Sequence, residues 1–215
     1  MATLNVARLH VRRNDRALFV GATGSGKTTL AKALMWDQRH VAVLDPKRTF
    51  TLPPQANATT TEDPDVVLSW EGPEPIIYRP GLDVLTDPDS VDWWFWWVYE
   101  RKNTLAYIDE AAMVTQGAKL PRGYAACIQL GRERGVGTWH ATQRPARVPL
   151  VLLTESEHIF AFRLRHPDDQ LRIADYSDRH TLERQPTGNA FWYWNDSRQE
   201  LRYFDRANVG AILTK

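Results

Sequence analysis

Short apolar runs alternate along this chain with stretches in which apolar residues recur at helical spacing. Ala17 to Val20, Val41 to Leu44, Ile76 to Tyr78 and Leu105 to Ile108 are continuous apolar runs, the pattern of strands buried on both faces of a parallel sheet. Val136 to Thr142 and His158 to Leu164 read as two more. Between them, Thr28 to Trp36, Asp87 to Lys102, Gly123 to Arg134 and Pro167 to Tyr176 read as helices. Asp89 or Ser90 is available to cap the second, Gly135 marks the end of the third, and proline with acidic residues opens the fourth. Thr51 to Pro75 is rich in Thr, Pro, Asp and Glu with little periodicity, which predicts a long surface connection with room for one helical turn. Ala190 to Trp194 and Glu200 to Phe204 flank an Asn195-Asp196 turn and predict a closing hairpin.

Strands and helices otherwise alternate, so the predicted fold class is α/β: a mainly parallel sheet with helices on both faces and a C-terminal β-hairpin. With 215 residues, 43% of them hydrophobic, residues 1–215 suffice for one substantial core and are expected to form one domain. Charge adds a constraint. Lys and Arg total 27 against 26 Asp and Glu, so no bulk field marks a nucleic-acid or membrane binder, and any DNA contact must be local. Cys127 has no partner for an internal disulfide, and Met1 to Val11 lacks the apolar core of a signal peptide, which together point to a reducing, cytoplasmic compartment. The aromatic run Trp93 to Tyr99 is far below the roughly 20 residues of a membrane helix. It reads as a buried helix or an oligomer contact, with the core reading preferred.

The chemistry begins where the first strand ends. Gly21-Ala22-Thr23-Gly24-Ser25-Gly26-Lys27-Thr28 satisfies G-x-x-x-x-G-K-[ST] between a strand and a helix, the context in which the pattern has a mechanism. The glycines let successive N–H groups turn inward onto phosphate oxygens beside a helix N-terminus, and Lys27 reaches the β and γ phosphates. Thr28 offers a hydroxyl to Mg²⁺, and Thr29 completes the predicted nucleotide-binding stretch. Leu105 to Glu110 supplies the second half: an apolar strand ending in Asp109, placed to hold metal, and Glu110, placed to accept a hydrogen bond from attacking water. A solvated acidic turn is the bland alternative, and the complete phosphate loop upstream argues against it.

Further segments resemble the FtsK/HerA superfamily of DNA-pumping ATPases. Leu44-Asp45-Pro46-Lys47 is similar to its strand-end signature, Gly131 to Gly137 to its G-R-x-x-G stretch, and Ala141-Thr142-Gln143-Arg144-Pro145 to its sensor strand. Phe160 to Leu164 with Pro167-Asp168-Asp169 is similar to the strand and helix that follow. The resemblance implies a RecA-like P-loop domain in which Gln143 senses the γ-phosphate and Arg132 or Arg134 is an arginine finger acting on the neighbouring subunit, Arg134 being slightly favoured. Either arginine could instead pair with Glu133 or another acid.

The resemblance also implies a homo-oligomeric ring, a hexamer by family precedent, enclosing double-stranded DNA. Lys119 and Arg122, in the loop Thr115 to Gly123, are candidate DNA contacts, six copies giving about a dozen charges for salt-sensitive binding. Arg12, Arg13 and Arg16 read as a solvated edge or subunit contact. The chain is close to a bare motor, which resembles viral genome-packaging ATPases and implies a capsid or portal vertex as partner, with no membrane. Other readings are a cellular or plasmid DNA translocase, a P-loop kinase, or an adaptor that binds ATP to assemble. A kinase must exclude the water that Glu110 would activate.

Overall fold

The computed structural model describes residues 9, 11–36, 38–115 and 119–205. Most of Met1 to Val11, and Gln116 to Ala118 of the candidate DNA loop, lie outside the described residues.

Among the described residues nine strands form one sheet, in the order β3-β4-β2-β5-β6-β1-β7-β8-β9. They are β1 (Arg16–Val20), β2 (Val41–Leu44), β3 (Thr59–Thr61), β4 (Ile76–Tyr78), β5 (Leu105–Asp109), β6 (Gly137–Thr142), β7 (His158–Ala161), β8 (Phe191–Asn195) and β9 (Glu200–Phe204). Pairing is parallel from β3 to β7, and β8 and β9 add the antiparallel hairpin. The helices are α1 (Lys27–Met35), α2 (Pro64–Leu68), α3 (Asp92–Arg101), α4 (Arg122–Leu130), α5 (Val151–Thr154) and α6 (Pro167–Tyr176).

Alternation along β1 shows how both faces are covered. Leu18 and Val20 join a core with Trp94, Phe95 and Val98 of α3, Tyr124 and Ile128 of α4 and Ile173 of α6. Ala17 and Phe19 point the other way, onto Leu30, Ala31 and Met35 of α1 and an aromatic group that includes Phe160, Phe191 and Phe204. The indole-rich run is therefore core packing. Phe95 stacks on Tyr124 at 4.2 Å between ring centroids, the Tyr124 hydroxyl bonds His140 Nδ1 at 2.6 Å, and only Trp96 of the run is exposed, at 41%. Among the described residues no helix is long and apolar enough to cross a membrane.

Four expectations are corrected. The connection from Thr51 to Pro75 contains β3 as well as α2, because Thr59 to Thr61 pair with Ile76 to Tyr78 through their backbones and need no apolar alternation. The predicted Asp87–Lys102 helix opens as a 3-10 turn over Pro88–Val91, which Asp87 caps by accepting from Asp89 N–H; regular α-helix starts only at Asp92. The predicted Gly123–Arg134 helix ends as α-helix at Leu130 and tightens into a 3-10 turn over Gly131–Arg134, closed by Gly135 at φ 70°. The hairpin turn is longer than Asn195-Asp196: residues Asp196–Arg198 form a 3-10 turn, with Gln199 left-handed at φ 49°.

Candidate active site

Parallel pairing fixes which residues meet. Val20 lies beside Thr142 and Asp109 beside Ala141, so the carboxyl ends of β1, β6 and β5 form one continuous rim. β6 sits between the other two. The phosphate loop therefore leaves the sheet two strands away from the paired acids, with Thr142 and Gln143 in the gap. Open α/β sheets bind ligands at this edge.

The loop is wound tightly around its own lysine. Gly21 N–H donates to Thr142 O at 3.2 Å and Ala22 N–H to Arg163 O at 2.8 Å, which anchors the start of the loop to β6 and to the chain after β7. A side chain at Gly21 would place Cβ 2.6 Å from Phe162 Cβ, so this approach requires glycine. Gly26 is the left-handed N-cap of α1, at φ 105°. Lys27 Nζ donates to Gly21 O at 2.7 Å and to Ala22 O at 3.0 Å, occupying the cradle with its own ammonium. Burial pulls its pKa down to about 8; Glu110 and Asp109 oppose that effect and Lys47 adds to it.

Across the rim, Thr28 Oγ1 lies 3.4 Å from Asp109 Oδ1, which also accepts from the Tyr107 hydroxyl at 3.2 Å. The phosphate loop and the acid strand thus converge. Glu110 is held in a left-handed conformation at φ 83°, ψ 73°, costly for a residue with a side chain. Its Oε1 accepts from Thr142 Oγ1 and Gln143 N–H, both at 2.9 Å, and its Oε2 from Gln143 Nε2 at 3.0 Å. Gln143 Oε1 accepts from the Thr23 hydroxyl at 2.7 Å. One amide side chain joins the loop to the acid.

The donor set suits a hard divalent cation. Asp109 and Thr28 offer two adjacent oxygens, one a carboxylate and one a hydroxyl. That fits Mg²⁺, which binds through one or two protein ligands, phosphate oxygens and water.

Some residues that sequence reasoning left without a role also belong here. Lys47 Nζ lies 3.4 Å from both Asp109 Oδ2 and Glu110 Oε2. Arg144 donates through Nε to the buried Asp169 at 2.7 Å and lines, with Ala22, Thr23, Arg165 and His166, a cavity of about 270 Å³ beside the loop. The strand-end Asp-Pro-Lys signature pointed to Lys47. The Arg144–Asp169 pair left no comparable signal, since it depends on α6 docking at the end of β6.

The remaining candidates lie elsewhere. Thr29 is in the first turn of α1. Arg132 and Arg134 precede β6, at the opposite rim, about 20 Å away along a six-residue strand, so neither reaches the phosphate loop of its own subunit. Arg134 is tied down, donating to Tyr99 O at 3.0 Å, pairing with Glu100 at 2.6 Å and covering the Tyr99 ring, whereas Arg132 is 64% exposed and pairs with Glu157 at 3.3 Å. Neither arginine pairs with Glu133 among the described contacts. Lys119 pairs with Asp89 at 2.8 Å, and Arg122 opens α4 at the surface. Arg16 is half-buried and paired with Glu155 at 2.7 Å. A second cavity, about 250 Å³ between Trp36, Arg39 and Pro73, is at the opposite rim and holds none of these groups.

No known protein family matches this chain by sequence, and no curated protein does so. Solved structures match it in fold. The genome packaging NTPase B204 from Sulfolobus turreted icosahedral virus 2, in complex with ATP-gammaS, superposes with a TM-score of 0.71 at 17% identity, covering 91% of this chain and 98% of that one. The fold is that of a P-loop NTPase. VirB4 of Thermoanaerobacter pseudethanolicus has a TM-score of 0.60 at 12% identity, covering 95% of this chain and 93% of its own. The pCW3 conjugation coupling protein TcpA, with ATPgS, has a TM-score of 0.57 at 13% identity over 90% of this chain and 60% of that chain. In this chain the fold is an open, mainly parallel sheet with the loop at its carboxyl rim.

Proposed function

We propose that this chain is an ATP-driven motor that moves double-stranded DNA, and that its task is packaging a viral genome into a capsid. The observation that carries the reading is the convergence of Lys27 and Thr28 with Asp109 and Glu110 around one rim position, bridged by Gln143. Lys27 exchanges its two carbonyl partners for the β and γ phosphates. Thr28 and Asp109 hold Mg²⁺, whose charge offsets that of the triphosphate. Glu110 accepts a hydrogen bond from the attacking water and orients it in line, and Gln143 signals the presence of the γ-phosphate through its bond to Glu110. Arg132, exposed at the far rim, suits a finger that enters a neighbour's site in a ring, and Arg134 does not, because its guanidinium is already committed.

Similarity in fold to a genome packaging NTPase and to a conjugation coupling protein supports DNA as the cargo. Lys119 and Arg122 lie on the segment that follows the acids, and in this reading they are the phosphate grip that hydrolysis moves. The Lys119–Asp89 pair is exposed and yields readily to a phosphate. The test is ATP turnover by the purified chain with and without duplex DNA. Turnover should rise several-fold with DNA, whatever its sequence, and the stimulation should fade as salt is raised. Phosphoryl transfer to a small acceptor with no release of phosphate would establish a kinase instead, and slow turnover indifferent to DNA would establish an assembly adaptor.

A further inference from the structure

Lys47 occupies an unusual position. Its ammonium is equidistant from the two buried carboxylates of the rim, 3.4 Å from each, although it stands on a different strand end from either. The loop that carries it is braced. Asp45, fully buried at the end of β2, accepts from Phe50 N–H at 2.9 Å, Thr49 N–H at 3.2 Å and Arg79 Nε at 3.2 Å. Phe50 is buried against the Tyr107 ring, at 5.1 Å, and Tyr107 bonds Asp109. The backbone at Lys47 is thus fixed relative to the acids, while its side chain remains 28% exposed and has a path outward.

Charge makes the placement meaningful. Lys27 and Lys47 balance Asp109 and Glu110 at the rim, two cations against two anions. An ammonium held against Asp109 weakens that carboxylate's hold on a divalent ion at its other oxygen, since like charges a few ångströms apart in a partly buried site repel. Glu110 cannot turn toward water while its oxygens are filled by Lys47, Thr142 and Gln143.

We propose that Lys47 is a resident counter-cation of the Asp109–Glu110 pair, holding the metal's place until nucleotide arrives and leaving it when phosphate oxygens offer the ammonium another partner. It is a positioning residue: by leaving, it opens Asp109 to the metal and releases one oxygen of Glu110 toward water. The inference rests on the proposed assignment of Asp109 to metal. It predicts that the nucleotide-free protein excludes divalent ions, so that metal and triphosphate enter together.

Mn²⁺ alone, followed by the paramagnetic resonance of the free ion, tests this without turnover. Wild type without nucleotide should bind Mn²⁺ weakly, Lys47→Met at least about tenfold more tightly, and Lys47→Arg as weakly as wild type. Asp109→Asn in the Lys47→Met background should abolish the gain, which locates the ion. Should Lys47→Met fail to fold by circular dichroism, Lys47→Gln is measured in its place. Equal Mn²⁺ affinity in wild type and the folded neutral variant overturns the proposal, as does tight binding by Lys47→Arg. Missing DNA stimulation with the Mn²⁺ contrast intact would instead overturn the motor reading and leave the role of Lys47 standing.

Discussion

The two halves of the nucleotide site are built by opposite means. The phosphate loop is a local object: Lys27 bonds carbonyls five and six residues away, and the left-handed glycines belong to the same short stretch. The acid half is assembled from distance. Glu110 depends on Thr142 and Gln143, more than thirty residues on, and on Lys47, sixty-three residues back. The loop's turn is set by its own glycines and lysine and is only anchored from outside, at Thr142 and Arg163, whereas the acid half exists only once β6 has inserted between β1 and β5. Binding should therefore follow the loop, and turnover the sheet.

Substitutions can separate the two. The largest effect is expected at Glu110. Glu110→Gln keeps the shape of the side chain and removes its capacity as a base, so turnover should fall by about 10²–10⁴ while nucleotide affinity, measured by calorimetry, stays within a few-fold of wild type. Unimpaired hydrolysis would sink the assignment. Gln143→Ala cuts the bridge between the halves and should lower turnover by roughly ten- to a hundredfold, again with binding nearly retained. A large loss of affinity there would show that the halves are not separable. The smallest effect is a pH dependence in the loop half alone. With Lys27 held to about 8 in the free protein, and its pKa raised once phosphate is bound, the charged form predominates below pH 8 and is essentially complete about one unit lower. Affinity should then be flat below about pH 7 and weaken above it, by up to about tenfold per pH unit. A flat profile to pH 9.5 would place the lysine's titration elsewhere.

The same asymmetry governed what could be read from the sequence. The strands at Val41–Leu44 and Ile76–Tyr78 were legible to the residue, because burial on both faces leaves an uninterrupted apolar run. The phosphate loop was legible because its geometry is written in glycines. Strand β3 was hidden: three threonines at intermediate or full exposure carry no hydrophobic signal, and only the backbone of β4 makes them a strand. Gln143 was suggested by family resemblance, but its two-sided bond to Thr23 and Glu110 follows from strand order, which no local pattern encodes. Lys47 shows the same limit. Its place in an Asp-Pro-Lys signature was visible, and its meeting with acids sixty-two and sixty-three positions away was not.

The left-handed backbone at Glu110 carries one more consequence. Consecutive residues of an extended strand project to opposite faces, which would leave one acid of the pair outside the site. The positive φ at the second position swings that peptide round, so both carboxylates address the same chamber from different walls. Transposing the two acids would conserve every charge and still give each the other's address: the shorter side chain would stop short of Gln143, and the longer one would crowd Thr28.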